Sequence, residues 1–359
     1  MKSIVNPPRI FGTGLVALDL VMGADPTTPV QSWAGGTCGN VMAIMAYLGW
    51  NAYPIARMNG DPASERARSD FDTWNVHLDF ANCAPTGHTP IIIQQIRRGR
   101  DGQPTHRFLW TCPHCGQRLP GYKPVTQAAV DTIVPNLAGS SVFFFDRVSR
   151  AALTLAKEAS IRGALVVFEP SGKNDDRLFA EAMALAHVVK YADQRLADVG
   201  ASITSDRAPL VEIQTLGAEG LRYRERLSGS PAGWINVPAC QAPALVDSCG
   251  SGDWCTGGFL AKTAFGGLSG FRQIGPAVLR ESLRYGQALA AWNCGFEGAR
   301  GGMYQISSKD FERHIRAILE GRSAFIPVDV TVASGPVVAC PACPVSGSSA
   351  KNVNTKSAA

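Results

Sequence analysis

Long apolar runs are missing from this chain of 359 residues. None reaches the roughly 18 uninterrupted apolar residues of a membrane-crossing helix, so neither a membrane span nor a membrane partner is expected. A surplus of one charge is missing too: 34 Lys and Arg against 29 Asp and Glu leave a formal +5. Apart from "RRGR" (97–100) the basic residues are scattered, which argues against a nucleic-acid partner. The opening "MKSIVNPPRIFG" has a short apolar run broken by two prolines, unlike a secretory leader, so a cytoplasmic protein is expected. No G-x-x-x-x-G-K-[ST] occurs, which excludes a P-loop. "GTGLVA" (12–17) fits the G-x-G-x-x-A dinucleotide fingerprint. The run after it ends at Met22 before "GADPTTP", too short for the helix that motif requires.

With 45% hydrophobic and 18% charged residues, the chain reads as a soluble globular protein with a sizeable core, one large α/β domain or two ordinary ones. Apolar strand-like runs alternate with helical stretches. "RIFGTGLVALDLVM" (9–22) starts as a strand, and "GNVMAIMAYLGW" (39–50) has helical spacing with Val41, Ile44, Met45 and Leu48 on one face. "SSVFFFD" (140–146), "ALVVFEP" (164–170) and "AHVVKYA" (186–192) read as buried strands separated by helices. That rhythm argues for a mostly parallel sheet covered on both faces. "TPIIIQQIRRGRDGQPTHRFLW" (89–110) breaks it: two strand-like arms around a Gly/Asp/Pro turn make a β-hairpin apart from the core.

"DSCGSGDWCTGGFL" (247–260) holds four glycines, and the continuation through Trp254, Gly258, Leu260 and Ala261 places the leading ones on a loop feeding a helix N-terminus. Free amides and the positive end of the helix dipole then meet in one concavity, which suits phosphate. Asp253 in the first helical turn either stabilises the dipole or, inside a phosphate cradle, takes a proton from an attacking hydroxyl.

This stretch resembles the second signature of the PfkB (ribokinase-like) family of carbohydrate kinases, D-x-x-G-A-G-D, here Asp247-Ser248-Cys249-Gly250-Ser251-Gly252-Asp253. "AGGTCGNVMAIMAYLG" (34–49) is similar to the first signature, "TLGAEGLRY" (215–223) to the nucleotide-binding hairpin, and "GTGLVALDLV" (12–21) to the first strand and its sugar-contacting aspartate. In order, the four motifs cover roughly residues 9 to 325.

The resemblance implies a three-layer αβα sandwich with a mostly parallel central sheet and a small β lid. It implies that Asp253 is the catalytic base and that the amides of Gly250, Ser251 and Gly252 form the anion hole. Asp19, Gly35, Gly36 and Asn40 would clamp the sugar, with a helix N-cap as the alternative for Asn40. Thr215, Gly217 and Gly220 would bind ATP, with an ordinary hairpin turn as their alternative. Lys190 could contact phosphate. Gln287 and Asn293 would border the adenine, or simply form the polar, solvent-facing side of a helix. ATP and Mg2+ are the implied cofactors, with a monovalent cation as a further candidate. The activity implied is phosphorylation of a hydroxyl on a sugar or sugar-like substrate. Alternatives are a nucleoside kinase and a non-catalytic sugar-binding regulator. A homodimer through the lid is the implied assembly.

Two features depart from the family. Its N-x-x-E, which organises magnesium, is replaced by Ala192-Asp193-Gln194-Arg195, so Asp193 is left as a weak magnesium ligand, and D-P-N is replaced by Glu169-Pro170-Ser171. The ten cysteines include two C-x-x-C pairs, "CPHC" (112–115) and "CPAC" (340–343). Zinc takes four ligands in a tetrahedron, so Cys112, Cys115, Cys340 and Cys343 could share one structural ion; two unrelated reduced pairs or a redox disulfide pair are the alternative. His106 and His114 are substitute ligands. The expected organisation is a kinase domain over 1–335, a C-terminal C-x-x-C segment over 336–344 and a disordered tail over 345–359. The lid would come from 20–36 and 86–125, with a zinc-knuckle-like insert at 111–120.

Overall fold

Neighbouring residues of the central strands face opposite layers, and this alternation dictates the architecture. The computed structural model describes residues 6–322 apart from 24–28, 59, 84–85, 100–101, 103, 114, 174, 198, 200–207, 228 and 230–232. In β1 (Arg9–Thr13) Ile10 belongs to one buried core and Phe11 to another. The same split separates Phe144 from Phe143 and Phe145 in β8 (Val142–Phe145), and Val167 from Val166 and Phe168 in β9 (Leu165–Phe168). A strand apolar on both sides must be covered on both sides. Helices α1 (Thr37–Tyr47), α6 (Ser251–Thr263), α7 (Gly267–Phe271), α8 (Pro276–Asn293) and α10 (Ser308–Leu319) contribute to the first core. Helices α3 (Gln127–Ile133), α4 (Arg150–Ile161) and α5 (Asp176–Leu185) contribute to the second. This is the expected three-layer sandwich.

The remaining strands of the large sheet are β4 (Asn51–Met58), β5 (Ala81–Cys83), β10 (Val188–Ala192), β11 (Val211–Thr215), β12 (Leu221–Glu225) and β13 (Ile235–Val237). Their order is β13-β12-β11-β10-β9-β8-β1-β4-β5. Pairing is parallel from β5 through β11, and only β12 and β13 join antiparallel. The hairpin read at 215–223 is the β11–β12 connection.

A second sheet stands apart, ordered β3-β2-β6-β7, from β2 (Ala17–Met22), β3 (Gln31–Gly35), β6 (Ile91–Arg98) and β7 (Pro104–Leu109). The hairpin read at 89–110 is β6–β7, paired antiparallel from Ile93–Leu109 to Arg98–Pro104. The chain leaves β1 at Thr13 and enters the second sheet at Ala17. Helix α2 (Pro62–Thr73), capped by the Asp61 carboxylate accepting from Ser64 N–H at 2.7 Å, packs behind β3. Among the described residues no helix is long and apolar enough to cross a membrane. The segments 336–344 and 345–359 lie outside the described residues.

Candidate active site

In an open parallel sheet, ligands bind beyond the carboxyl ends of the strands. Here those ends deliver Glu169 after β9 and Lys190 within β10 toward the N-terminus of α6, while Asp146 after β8 accepts the Leu15 N–H at 2.9 Å. The loop before α6 is held in shape by Asp247, whose carboxylate accepts the N–H of Cys249 at 3.0 Å and of Gly298 at 2.9 Å. Gly250 then turns left-handed (φ 74), and a Cβ there would lie 2.3 Å from the Ala299 carbonyl oxygen, so both backbone and space require glycine. The Ser251 amide donates back to Ser248 O at 3.3 Å. The amides of Gly252 and Asp253 follow in the first helical turn, where no intrahelical acceptor exists. A Cβ on Gly252 would lie 3.5 Å from Lys190 Nζ, so this lysine borders the amide cradle.

Lys190 is itself buried and pairs with Glu169 at 2.7 Å, while the second Glu169 oxygen accepts Thr256 Oγ1 at 2.7 Å. Burial works against the ammonium charge, but Glu169 outweighs it and the Lys190 pKa rises. Asp253 accepts Asn40 Nδ2 at 2.8 Å. Its pKa is pushed up to about 8, chiefly by burial and then by the charge of Glu169, against the pull of Asn40, Lys190 and Arg195. A carboxylate of that basicity in a buried cleft suits general-base chemistry near neutral pH.

Asp19 on β2 faces Gly35 and Gly36 at the β3–α1 junction, and its Oδ2 accepts the Gly36 N–H at 3.2 Å. A Cβ on Gly35 would sit 1.9 Å from that oxygen, so the close approach requires glycine. Burial raises the Asp19 pKa to about 6, opposed by Gly36 N–H and Arg300. Asn40 lies within α1, three residues after its first residue Thr37, rather than capping it; Gly36 holds the cap position. Arg300 donates from Nε to Asn40 Oδ1 at 3.1 Å and from Nη2 to Asp70 Oδ2 at 2.8 Å and to the Ala34 carbonyl. Two buried polar atoms of this cluster, Asp19 Oδ1 and Arg300 Nη1, have no hydrogen-bond partner among the described residues. An acceptor and a donor left in this state suit a polyol.

Thr215, Gly217 and Gly220 form a second group at the β11–β12 turn, beside the loop after β10: Asp193 N–H donates to Thr215 O at 3.1 Å, and a Cβ on Gly217 would lie 4.0 Å from Gln194 Nε2. Gln287 and Asn293 do not face solvent. Gln287 donates to the Val237 and Pro238 carbonyls at 3.3 and 3.1 Å, bracing the strand against which Gly220 packs. Asn293 donates to Cys249 O at 3.2 Å and Gly298 O at 3.3 Å, and so braces the glycine loop.

For a resident metal the fit is poor. Both Glu169 oxygens are engaged, Asp193 is exposed with its Oδ1 accepting the Gln194 N–H, and no group of three or more His, Cys, Asp or Glu among the described residues could hold an ion. Cys112 is buried and Cys115 exposed on a tight turn closed by Gly116 N–H to Cys112 O at 2.9 Å. Cys340, Cys343 and His114 lie outside the described residues. His106 points to Asp247, its Nδ1 3.5 Å from Oδ1, and Gln94 Nε2 donates to the same carboxylate, so the lid touches the glycine loop directly.

Sequence reasoning missed Arg300, Asp70 and Asp146. Asp70 had a signal: it shares the buried face of α2 with Ala63, Ala67 and Phe71, a charge on an apolar stripe. Asp146 ends an apolar strand and accepts Leu15 N–H at 2.9 Å. Arg300 had only its setting, one cation in the small-residue stretch "GARGG".

Comparison with known proteins fits this geometry. The chain is 24% identical over 308 residues to an ATP-dependent ribose-1-phosphate kinase of Halopiger xanaduensis, covering 81% of this chain and 94% of the relative. The fold is similar to that of aminoimidazole riboside kinase from Salmonella enterica, with a TM-score of 0.64 at 20% identity over 86% of this chain and 99% of that one. Fructokinase from Xylella fastidiosa gives a TM-score of 0.64 at 20% identity, covering 81% of this chain and 93% of that one. Residues 137–305, which carry the β8–β11 strand ends, the glycine loop and Asp253, match the pfkB family carbohydrate kinase model.

Proposed function

We propose that the protein is an ATP-dependent kinase that phosphorylates a hydroxyl of a sugar or sugar-like substrate. The observation that carries this reading is Asp253: a buried carboxylate of raised pKa, at the N-terminus of α6, bordered by free amides and Lys190. In this reading Asp253 takes the proton of the acceptor hydroxyl as its oxygen attacks the terminal phosphoryl group of ATP. The amides at the start of α6, with Lys190, face the charge that gathers on the transferred group. Asp19 and Asn40 hold the acceptor, and the turn at Thr215, Gly217 and Gly220 receives the nucleotide. Magnesium accompanies the nucleotide's phosphates, and no step is assigned to a protein-held ion.

The names of the relatives set the acceptor panel: pentoses, hexoses, pentose 1-phosphates and ribosides. ADP release is expected with at least one. Asp253→Asn should lower turnover about a hundredfold or more while ATP binding persists, because the amide keeps the shape and cannot accept the proton. Binding of sugar and ATP without turnover on any acceptor would replace this reading with that of a sugar-binding regulator.

A structural zinc shared by Cys112, Cys115, Cys340 and Cys343 is a separate part of the proposal. Its support is the buried Cys112 on a tight turn at the base of β7 together with the second pair in the sequence. Elemental analysis should find about one zinc per chain, lost on Cys112→Ser. Metal-free protein would remove the site.

A further inference from the structure

Asn40 is symmetric in shape but not in chemistry: one end of its amide donates, the other accepts, and packing alone does not choose between them. The proposed base needs the donor end. Arg300 makes that choice, because its Nε–H donates to Asn40 Oδ1 at 3.1 Å and only the opposite edge then remains for Asp253, reached by Nδ2 at 2.8 Å. Arg300 is in turn fixed from three directions. Asp70 on α2 pairs with it at 2.8 Å, the Ala34 carbonyl of β3 accepts from it, and Tyr304 on α9 (Gly301–Gln305) donates to both Asp70 oxygens at 3.0 Å. The guanidinium is 1% exposed. A planar fork of donors can serve an amide, a carbonyl and a carboxylate together; an ammonium on a flexible stem cannot hold the same geometry.

We infer that Arg300 is a positioning residue for the phosphoryl-transfer reaction, locking the Asn40 amide so that it orients and stabilises the Asp253 carboxylate. The inference rests on the reading of Asp253 as the base. The groups that act on Asp253 from the surrounding elements are Glu169 after β9, Lys190 in β10, Arg195 in the loop after β10 and Asn40 in α1, and its charge reaches the thiols of Cys38 and Cys249. Without the lock, the Asn40 hydrogen bond weakens and the carboxylate becomes more basic, so the acid limb of the pH profile of kcat moves to higher pH.

The test uses Arg300→Lys, which keeps Asp70 paired, and Arg300→Met with Asp70→Asn, which removes the buried charges together. Melting curves and ATP binding verify the fold. In both variants kcat should fall between about tenfold and a hundredfold with the KM for ATP little changed, the scale of a small misplacement of a reacting group. The acid limb should shift upward. In an Asn40→Ala background, Arg300→Lys should add little to the loss and nothing to the shift. A near-normal kcat in Arg300→Lys, or losses that simply multiply with those of Asn40→Ala, overturns the inference and leaves Arg300 as a structural ion pair. Asp253→Asn is assayed alongside: near-normal turnover there removes the base itself, a different failure.

Discussion

At the scale of single residues, the buried carboxylates set a conflict between stability and chemistry. Asp253 has a folded-state pKa of about 8, raised from 3.8 by burial and by Glu169. Between those values the folded chain holds a proton that the unfolded chain has released, so stability falls as pH rises through that window and levels off above it. Asp253→Asn should therefore melt at higher temperature than the parent at pH 9 and show almost no difference near pH 4. Equal melting of the two proteins at pH 9 would refute the raised pKa. Asp19 makes a sharper statement about binding. Asp19→Ala removes a buried, charge-assisted partner worth roughly 1.5–3 kcal/mol, and should raise the KM for the sugar tenfold or more with little change in that for ATP. Gly35→Ala should reproduce this by displacing the carboxylate rather than removing it, since its Cβ would lie 1.9 Å from Asp19 Oδ2. Equal effects on both substrates would move Asp19 out of the sugar site.

At the scale of elements, the lid and the glycine loop act as one unit. Gln94 of β6 and His106 of β7 meet on Asp247, which also holds the N–H groups of Cys249 and Gly298. Burial disfavours the Asp247 charge, yet His106 and the two amides outweigh it and its pKa falls. Gln94→Ala should thus loosen the lid and distort the loop, raising the sugar KM and lowering kcat together; a change confined to KM would mean that the loop keeps its shape without the lid. Much of this was legible in the chain. The strands along 140–192 and their parallel sheet follow from apolar runs alternating with helices, and the turn into α6 from the glycines of 247–253, because those signals are local. The lid hairpin also announced itself, through arms around a turn. What the sequence did not reveal was which distant groups complete the site. Asp70 and Arg300 join the expected Asn40 and Asp253 across separations of up to 260 residues, and the four meet only when α1, α2, α6 and the segment before α9 pack together. His106 illustrates the same limit: beside a C-x-x-C it reads as a spare ligand, while strand register turns it to Asp247.

At the scale of the whole molecule, two sheets solve the problem of their edges differently. The large sheet ends in short strands, β5 at one side and β13 at the other, each of three residues. The lid ends in β3, packed against α2, and in β7, which pairs with no further strand among the described residues. Thr105 through Phe108 are exposed along β7, Phe108 is 38% exposed, and Trp110 just beyond it is 49% exposed. An uncovered edge with aromatic side chains is a template for pairing with another strand. Two copies related by a two-fold axis could bring their β7 edges together, bury Phe108 and Trp110, and hold both lids over their sites. Arg97, Arg98 and Arg107 sit on the same hairpin, so like charges would oppose the pairing and added salt would relieve them. Sedimentation should therefore show a dimer that tightens between low and moderate ionic strength. Phe108→Ser with Trp110→Ser should shift it to monomer while far-UV circular dichroism stays unchanged. The same variant should raise the KM for the sugar, because an unpaired β7 weakens the hairpin that carries His106 to Asp247. A parent protein that sediments as a monomer at micromolar concentration in every buffer would show that β7 faces solvent in the working enzyme.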